Sequence, residues 1–339
     1  MQIELGRGEL LDRSGHLAER GWARDEARRY RRTAITASRF RIKEWDYYCV
    51  LTDEFGVALA VADIGYLGLL SVSWLDFRKR STVEESAMVP FPLGSMAMPE
   101  SADSGDIVQA RRKLKLSFRH EKDGRLLTLD CPSFNGGKGL RGEIRLAQPP
   151  MDRMTIATPF PNAPKAFYYN QKINCMPASG EIRIGSESYN FEPHRAFGVL
   201  DWGRGVWTYH NRWYWGSASG LLDDVPFGFN IGHGFGDTSK ATENMLFYGG
   251  KAHKLDQVAF HLPKEGYDSA PWKFTSNDGR FEMDFIPIID RASAVDFRII
   301  RQISHQVFGR FSGTAILDDG HRLTLDSFLG FAEEVENRW

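Results

Sequence analysis

The sequence predicts a mainly β protein made of two closed or sandwiched antiparallel units, preceded by an N-terminal arm. Aromatic residues make up 13% of the 339 residues and there are 33 glycines, a composition typical of strands joined by tight turns. From residue 45 onward, short apolar or alternating runs recur between turn signals, and few segments have the period of an amphipathic helix. Strands at this spacing exceed one small barrel, so two units of about eight strands each fit best.

Short turn sequences between apolar runs predict four β-hairpins. Asp-Gly, Gly-Ser and Asn-Asp-Gly favour the tight turns that join antiparallel strands. The predicted turns lie at 123–124, 185–186, 277–279 and 318–320. The stretch 80–108 has three prolines and little periodicity, so we expect a long loop or a crossing connection there.

The chain divides into an arm and two lobes. The arm, 1–44, is arginine-rich; we expect a short helix over 23–32 and packing along the body through Trp22 and Tyr30. The proline-rich stretch 151–167 is the expected boundary. The first β-barrel-like lobe is therefore predicted at 45–160 and the second at 161–339.

Composition excludes several classes of function. A net charge of −1 provides no concentrated positive surface for nucleic acid. The sequence has no apolar run long enough for a transmembrane segment and no secretory signal. The three cysteines are far apart and form no CxxC pair, which indicates reduced thiols in a cytoplasmic protein. We expect no metal site and no cofactor, and the oligomeric state stays open.

Eight stretches, in order along almost the whole chain, resemble an uncharacterised and mainly bacterial family, domain of unknown function 2804. They include GHLAERGWAR, NQKINCMPASGEI, VLDWGRGVWTYHNRWYWGSASG and GFAEEVENRW. The stretches are 15–24, 43–50, 62–76, 170–182, 199–220, 236–255, 308–317 and 330–339.

A more distant resemblance is to two-lobed, calycin-like proteins that include carotenoid hydratases and lipocalin-like cyclases. In those proteins a strand with Asp and Trp-Gly follows a Tyr-Tyr-rich strand, and AFYYNQKIN followed by VLDWGRG is similar here. In this chain Asp201 directly precedes Trp202 and Gly203, a closer spacing than those relatives have. The resemblance implies two lipocalin-like antiparallel β-barrel lobes.

Asp201 is the first candidate catalytic residue, because a carboxylate between apolar neighbours has to be paired or has a raised pKa. Its structural interpretation is a salt bridge with Arg204 or hydrogen bonds to a nearby turn; its functional interpretation is a general acid or base. Arg204 is expected to stack on Trp202 or Trp207 and close one end of a barrel. The alternative is that Arg204 binds a substrate carboxylate.

The strand after this turn is the candidate ligand wall. In a continuous strand Trp207, Tyr209, Asn211, Trp213 and Trp215 share one face. A face of large rings with polar tips suits a ligand cavity better than a dry core. The alternative is a layer of core packing between the lobes.

The stretch 229–244 supplies the remaining candidates. It contains His233, Glu243 and Asn244, but lacks the GK[ST] sequence and the strand-to-helix context of a phosphate loop. His233, Asp237 and Glu243 could form an acid–base or metal set, but they lack a diagnostic spacing such as HxxxH. Glu333 and Glu334, with Arg338 and Trp339, are interpreted as the charged edge of a last strand.

Together these features predict an intracellular enzyme with an aromatic barrel cavity that binds a small hydrophobic or amphipathic molecule. Its chemistry would be hydration or dehydration, isomerisation or cyclisation without a cofactor. The predicted catalytic residues are Asp201, Glu243, His233 and Tyr209, and the predicted ligand-binding residues are Trp202, Arg204, Trp207, Trp213, Trp215 and Asn244. A non-catalytic carrier of a lipid or hydrophobic metabolite is the main alternative, and a carboxylate-dependent glycoside hydrolase is a further one.

Overall fold

Two large antiparallel sheets, one per lobe, and a parallel pair of short strands in the arm are present in a computed structural model that describes residues 2–264, 266–296 and 300–338. The strands of the arm and first lobe are β1 Gly8–Glu9, β2 Gly21–Ala23, β3 Arg28–Arg29, β4 Ile42–Leu51, β5 Phe55–Asp63, β6 Leu67–Asp76, β7 Ser81–Pro90, β8 Ile107–Ala110, β9 Lys115–Glu121, β10 Gly124–Cys131, β11 Leu140–Ala147, β12 Met154–Phe160, β13 Ala163–Ile184, β14 Glu187–Phe191 and β15 Phe197–Val206. Those of the second lobe are β16 His210–Leu222, β17 Val225–His233, β18 Met245–Tyr248, β19 Lys251–Lys254, β20 Val258–His261, β21 Trp272–Ser276, β22 Phe281–Asp296, β23 Arg301–Ile316 and β24 Arg322–Arg338. The described helices are the 3₁₀ turns Arg32–Ala34 and Arg39–Arg41 and the short α1 at Phe134–Gly137; none of them is long and apolar enough to cross a membrane.

Each sheet curls into a half-barrel. The first has the order β7-β6-β5-β4-β15-β13-β11-β10-β9-β8, with β12 and β14 paired to β13 and β2 paired to β12. The second has the order β19-β18-β17-β16-β24-β23-β22-β21-β20. The predicted class, a mainly β protein with two calycin-like lobes, is confirmed. All four predicted hairpin turns are also present, between β9 and β10, β13 and β14, β21 and β22, and β23 and β24.

The boundary between the sheets differs from the predicted one at residue 160. Both β13 and β15 hydrogen-bond within the first sheet, so that sheet extends to Val206 and the second begins at His210. The prolines that suggested a linker instead lie in β12, in the turn after it and at the start of β13. Proline is tolerated at such turns and strand ends because no ladder hydrogen bond is lost there.

The arm packs on the first lobe through the two predicted aromatic residues. Trp22 and Tyr30 are both buried in the first-lobe core. The helix expected over 23–32 does not form, because 28–29 pair with β1 and β2 joins the sheet through β12. Tertiary pairing thus overrides local helix propensity.

The stretch 80–108 also departs from expectation. Its first part, Ser81–Pro90, forms the regular strand β7, which pairs with β6 at the edge of the first sheet. The remainder, 91–106, connects β7 to β8. A proline at the end of an edge strand is compatible with that pairing.

A third apolar cluster, which we call the interlobe layer, joins the two lobes. Its buried residues come from both sheets and are Tyr47, Cys49, Ala58, Leu75, Phe77, Val199, Trp215, Ile289, Phe308 and Phe331. Strand β15 separates this layer from the first-lobe interior, because successive side chains point to opposite faces. Leu200 and Trp202 belong to the first-lobe core, whereas Val199 belongs to the interlobe layer.

Polar contacts tie the two sheets together beside this layer. The buried Asn174 of β13 donates through Nδ2 to Ser217 Oγ at 2.8 Å and to the Phe229 carbonyl oxygen at 3.1 Å. The Cys175 amide next to it donates to Ser219 Oγ at 3.0 Å. Because donors of β13 bond to β16 and β17, the lobes are joined by hydrogen bonds as well as by apolar packing.

Candidate functional site

Asp201 lies on the interlobe side of β15, opposite Lys172 of β13 in the strand register. Its Oδ2 is 2.9 Å from Lys172 Nζ, and its Oδ1 accepts a hydrogen bond of 2.6 Å from Asn170 Nδ2. All three residues are buried. Asp201 is therefore paired, but its partner is Lys172 and not Arg204.

Lys172 is a functional-site candidate that was not predicted from the sequence. Its ammonium lies 3.8 Å from the centre of the Trp215 ring, within range of a cation–π interaction. A fully buried lysine is rare unless it is paired. The available signal was a single lysine in AFYYNQKINC, a strand of otherwise apolar or uncharged residues.

Glu333 also lies in the interlobe interior, whereas the sequence predicted that it would lie on the charged edge of a last strand. Strand β24 pairs with β16 on one side and β23 on the other, so Glu333 and Glu334 are in a central strand and both are buried. Glu333 accepts hydrogen bonds of 2.9 Å from Trp213 Nε1 and from Gln306 Nε2. Burial raises the pKa of Glu333. Arg338 ends this strand with an exposed side chain, and Trp339 lies outside the described residues.

Glu334, on the other face of β24, is occupied by a separate set of partners. It forms an ion pair with Arg212 and accepts hydrogen bonds from Tyr214 at 2.9 Å and Tyr267 at 2.5 Å. These three donors offset the desolvation of the carboxylate and hold the pKa of Glu334 below its usual range.

Glu243, just before β18, is the third buried carboxylate of the interlobe site. It is 6% exposed. Burial is the main cause that raises its pKa to about 7; the positive charge of Lys172 opposes the rise, and the negative charges of Asp201 and Glu333 add to it. We call Asp201, Glu243 and Glu333, together with Lys172, the carboxylate cluster.

Two of the predicted wall residues line this cluster. Trp213 and Trp215 share a face of β16, as predicted from alternation. Trp213 donates to Glu333, and Trp215 donates to Asn230 Oδ1 at 2.6 Å while its ring contacts Lys172.

Five aromatic rings pack into what we call the aromatic plug. Phe235 is at its centre, with ring centroids 4.6 Å from Tyr168, 4.6 Å from Trp207, 5.2 Å from Trp213 and 5.3 Å from Phe160. The plug adjoins the carboxylate cluster through Trp213. Tyr168 is close enough to the cluster that, after burial, the charge of Glu243 is the next cause raising its pKa.

A surface cleft of about 350 Å³ adjoins the outer side of the plug. Phe160 lines this cleft, as do Gly234 and Gly236, the two neighbours of Phe235 in the chain. The cleft, the plug and the carboxylate cluster thus follow one another from the surface to the interlobe interior.

Arg204 and Trp202 lie on the opposite face of β15, inside the first lobe. The guanidinium carbon of Arg204 is 4.1 Å from the centre of the Trp202 ring, as the structural interpretation predicts. Its Nη2 is 2.9 Å from Asp46 Oδ1, and its other donors bind the carbonyl oxygens of Pro99 and Trp45. These contacts engage all three nitrogens of the guanidinium, so Arg204 has no free donor for a ligand carboxylate in this arrangement.

Three other predicted residues are not brought to the cluster. Tyr209 is 56% exposed, because the expected continuous strand is interrupted at 207–209 between β15 and β16. His233 stacks on Tyr214 on the other face of β17. Asn244 accepts from the Gly232 amide and donates to the Asp256 carbonyl, both at 2.8 Å, which is a structural role.

In the described ranges, no group of three or more His, Cys, Asp or Glu side chains has the arrangement of a metal site. The cluster brings together three acids and one amine beside indole rings. Such a set can hold, donate or accept protons and can stabilise positive charge.

The chain belongs to the family described as domain of unknown function (DUF2804), which it matches over residues 2–339. No curated protein sequence matches it.

Solved structures show that the fold is shared more widely. An AttH protein from Nitrosomonas europaea is 16% identical with a TM-score of 0.53, the match covering 88% of this chain and 92% of that one. Kievitone hydratase from Nectria haematococca is 12% identical with a TM-score of 0.51, covering 88% of each chain. CghA, in complex with Sch210972, is 11% identical with a TM-score of 0.51 and the same coverage. At these identities the likeness concerns the two-lobed fold.

Proposed function

We propose that the protein is an intracellular enzyme that binds a small, largely apolar molecule between its lobes and converts it by acid–base chemistry. Hydration or dehydration, isomerisation and cyclisation are the reactions in this class. The observation that carries the proposal is the carboxylate cluster, in which three buried acids and one buried lysine lie beside two tryptophans.

The cost of this arrangement supports a catalytic role. Each buried charge loses its hydration. A protein in which hydrophobic residues of similar volume replace a buried ion pair is often no less stable. A carrier of apolar molecules gains nothing from such groups. An enzyme does, because buried acids with perturbed pKa values can exchange protons with a bound molecule.

The surroundings of the cluster support an apolar substrate. The aromatic plug lies between the cluster and the surface cleft, so a ligand has to displace or pass aromatic rings. Indole faces attract positive charge, and Trp213 and Trp215 would stabilise a substrate that becomes cationic when it is protonated. Asp201 and Glu243 are the residues to which we assign proton transfer.

Two of the compared structures support the reaction class by analogy. One is named a hydratase, and the other holds a bound small molecule. The three cysteines are buried free thiols, which agrees with an intracellular, reducing environment.

The test begins with protein purified from its source and native mass spectrometry for a copurifying molecule. Apolar extracts of the same cells are then incubated with the wild type, Asp201→Asn and the control Asp224→Asn. Asp224 is exposed, with a positive φ that asparagine tolerates. We expect a compound to gain or lose water or to isomerise with the wild type and the control, but not with Asp201→Asn.

The carrier hypothesis predicts a different outcome. A carrier would retain the same copurifying molecule in Asp201→Asn and in the wild type, and neither protein would change the composition of the extract. That result would contradict the enzymatic proposal.

A further inference from the structure

The three acids of the carboxylate cluster differ in their hydrogen bonds. Asp201 is bonded by Asn170 and Lys172, and Glu333 by Trp213 and Gln306. Within the described residues no donor contacts the Glu243 carboxylate, although Glu243 is as deeply buried as the other two. Donated hydrogen bonds favour the ionised form of an acid, and burial without them favours the neutral form.

The partners of Glu333 are themselves fixed. Gln306 donates to Glu333 through Nε2 and accepts through Oε1 a hydrogen bond of 3.0 Å from the Tyr47 hydroxyl. Strand β4 of the first lobe thereby orients the amide that binds an acid of the second lobe. This chain of hydrogen bonds favours the ionised, acceptor form of Glu333 and opposes the rise in its pKa that burial causes.

Charged and titratable groups approach Glu243 from every neighbouring element. The groups are Tyr168 and Lys172 of β13, Asp201 of β15, Glu333 of β24 and Lys254 of β19. Lys254 is occupied by the Thr242 hydroxyl and the carbonyl oxygens of Asn244 and Leu255. Lys172 is 2.9 Å from Asp201. Glu243 thus faces two acids that both accept donated hydrogen bonds, while Lys172 and Lys254 are engaged by other partners.

We propose that Glu243 carries the exchangeable proton of the resting carboxylate cluster, that the charges of Lys172, Asp201 and Glu333 keep it there, and that Asp201 is the acceptor when the substrate gives up a proton. The assignment of Glu243 as proton donor rests on the proposed function. Two like charges close together in a buried site cannot both ionise cheaply, so the proton stays on the acid without donors.

The proton transfer is balanced without any further reactant. The O–H bond of Glu243 breaks, its electron pair stays on the carboxylate, and the proton forms a bond to the substrate. The substrate gains one positive charge and the cluster gains one negative charge. Loss of a proton from the substrate, or from a water that adds to it, returns the proton to the cluster.

The charge balance defines the class of substrate. An anionic molecule would meet two ionised acids and an ammonium already paired with one of them. A neutral molecule with a proton-accepting alkene, carbonyl or hydroxyl group fits, because its protonated form is attracted to Asp201, Glu333 and the indole rings. Lys172 is a positioning residue here, since it acts through Asp201 and Glu243.

Infrared difference spectroscopy of the intact protein tests the proton assignment without a substrate. The spectra compare acidic and alkaline samples in the region of the protonated carboxyl C=O stretch. The wild type should lose one band with a midpoint near the pKa of Glu243, about 7. The band should be absent in Glu243→Gln and present in Glu333→Gln and in the exposed control Glu143→Gln.

The residue Lys172 provides a second measurement in which Glu243 is unchanged. Lys172→Met removes a nearby positive charge and should move the midpoint upward by about one pH unit or more, whereas Lys172→Arg should leave it near the wild-type value. Circular dichroism checks that each variant is folded.

Specific results would overturn the inference. A band that survives in Glu243→Gln, or disappears in Glu333→Gln, assigns the proton to another acid. If the midpoint does not shift in Lys172→Met, the charge of Lys172 does not influence the pKa of Glu243. If the band behaves as expected but no apolar extract is ever converted, the proposed function fails while the proton assignment stands.

Discussion

Strand β15 separates two buried charged regions that differ in how their charges are balanced. On the first-lobe side, Arg204 pairs with Asp46 while Glu44 pairs with Arg32 and accepts a hydrogen bond of 2.7 Å from Tyr30. On the interlobe side, Lys172 pairs with Asp201, whereas no donor in the described part of the chain reaches the Glu243 carboxylate. The charges of Lys254 and Arg291 also act on Glu243 and Glu333, respectively. We propose that the ion pairs inside the first lobe serve stability, and that the carboxylate cluster serves chemistry.

The largest expected effect is on the first-lobe side. Arg204→Met leaves Asp46 buried without its cation and frees the carbonyl oxygens of Pro99 and Trp45. Breaking a buried ion pair from one side costs about 3–5 kcal/mol. Urea unfolding monitored by tryptophan fluorescence should show a loss of this size; a loss below about 1 kcal/mol would mean that the pair adds little to stability.

The next effect is a pH dependence on the interlobe side. Glu243 binds its proton more tightly in the folded chain, with a pKa of about 7, than in the unfolded chain, where it is near 4.5. The unfolding free energy should therefore fall as pH rises between these two values, by about 3 kcal/mol. Glu243→Gln should lack this fall and be more stable than the wild type above about pH 7.

The measurement for Glu243 is urea unfolding from about pH 5 to about pH 8.5 in the wild type, Glu243→Gln and Glu143→Gln. The control should follow the wild type, because Glu143 is exposed. Parallel curves for Glu243→Gln and the wild type would show that Glu243 does not titrate in this range.

A smaller effect is expected at the junction of the lobes. Asn174→Ala removes the donors that reach Ser217 and Phe229 and leaves those acceptors buried. The cost should be about 1–3 kcal/mol of unfolding free energy. An unfolding transition that stays single would indicate that both lobes unfold together, and two separate transitions in the variant would show that Asn174 couples them.

The smallest effect is expected at Tyr209, which lies outside both regions. Tyr209→Phe removes one hydroxyl group from an exposed ring. Stability should change by less than about 0.5 kcal/mol, as for most surface substitutions. Conversion of an apolar extract should also be unchanged. A loss of conversion would indicate that Tyr209 is an active-site residue, as the sequence predicted.

The sequence was sufficient for the fold class, the four hairpin turns and the sharing of one face by Trp213 and Trp215. These features depend on local turn chemistry and on the period of two, which a single chain segment shows. The end of the first sheet at Val206 was not visible in the sequence, because proline-rich turns inside a sheet and linkers between domains have the same composition. The prediction of a helix over 23–32 was wrong because the pairing of β3 with β1 and of β2 with β12 is not visible in the local sequence.

The site was only partly predictable for a similar reason. Asp201 was recognised from its apolar neighbours, but its partner Lys172 is 29 positions earlier in the chain and meets it only through the β13–β15 register. Glu333 was interpreted as an edge residue because two adjacent acids near the end of the chain are typical of exposed strands. Its burial depends on β24 being central in the second sheet.

The most direct test of the comparison is the turnover of Asp201→Asn and Arg204→Met in one assay, at a temperature at which both are folded. We predict that both variants lose stability, because each breaks a buried ion pair from one side. Asp201→Asn should in addition lose conversion of the apolar substrate per folded molecule by about 100-fold or more. Arg204→Met should lose stability and keep the conversion rate per folded molecule. Normal conversion by Asp201→Asn, or a conversion rate lost equally in Arg204→Met, would contradict the assignment of chemistry to the interlobe side.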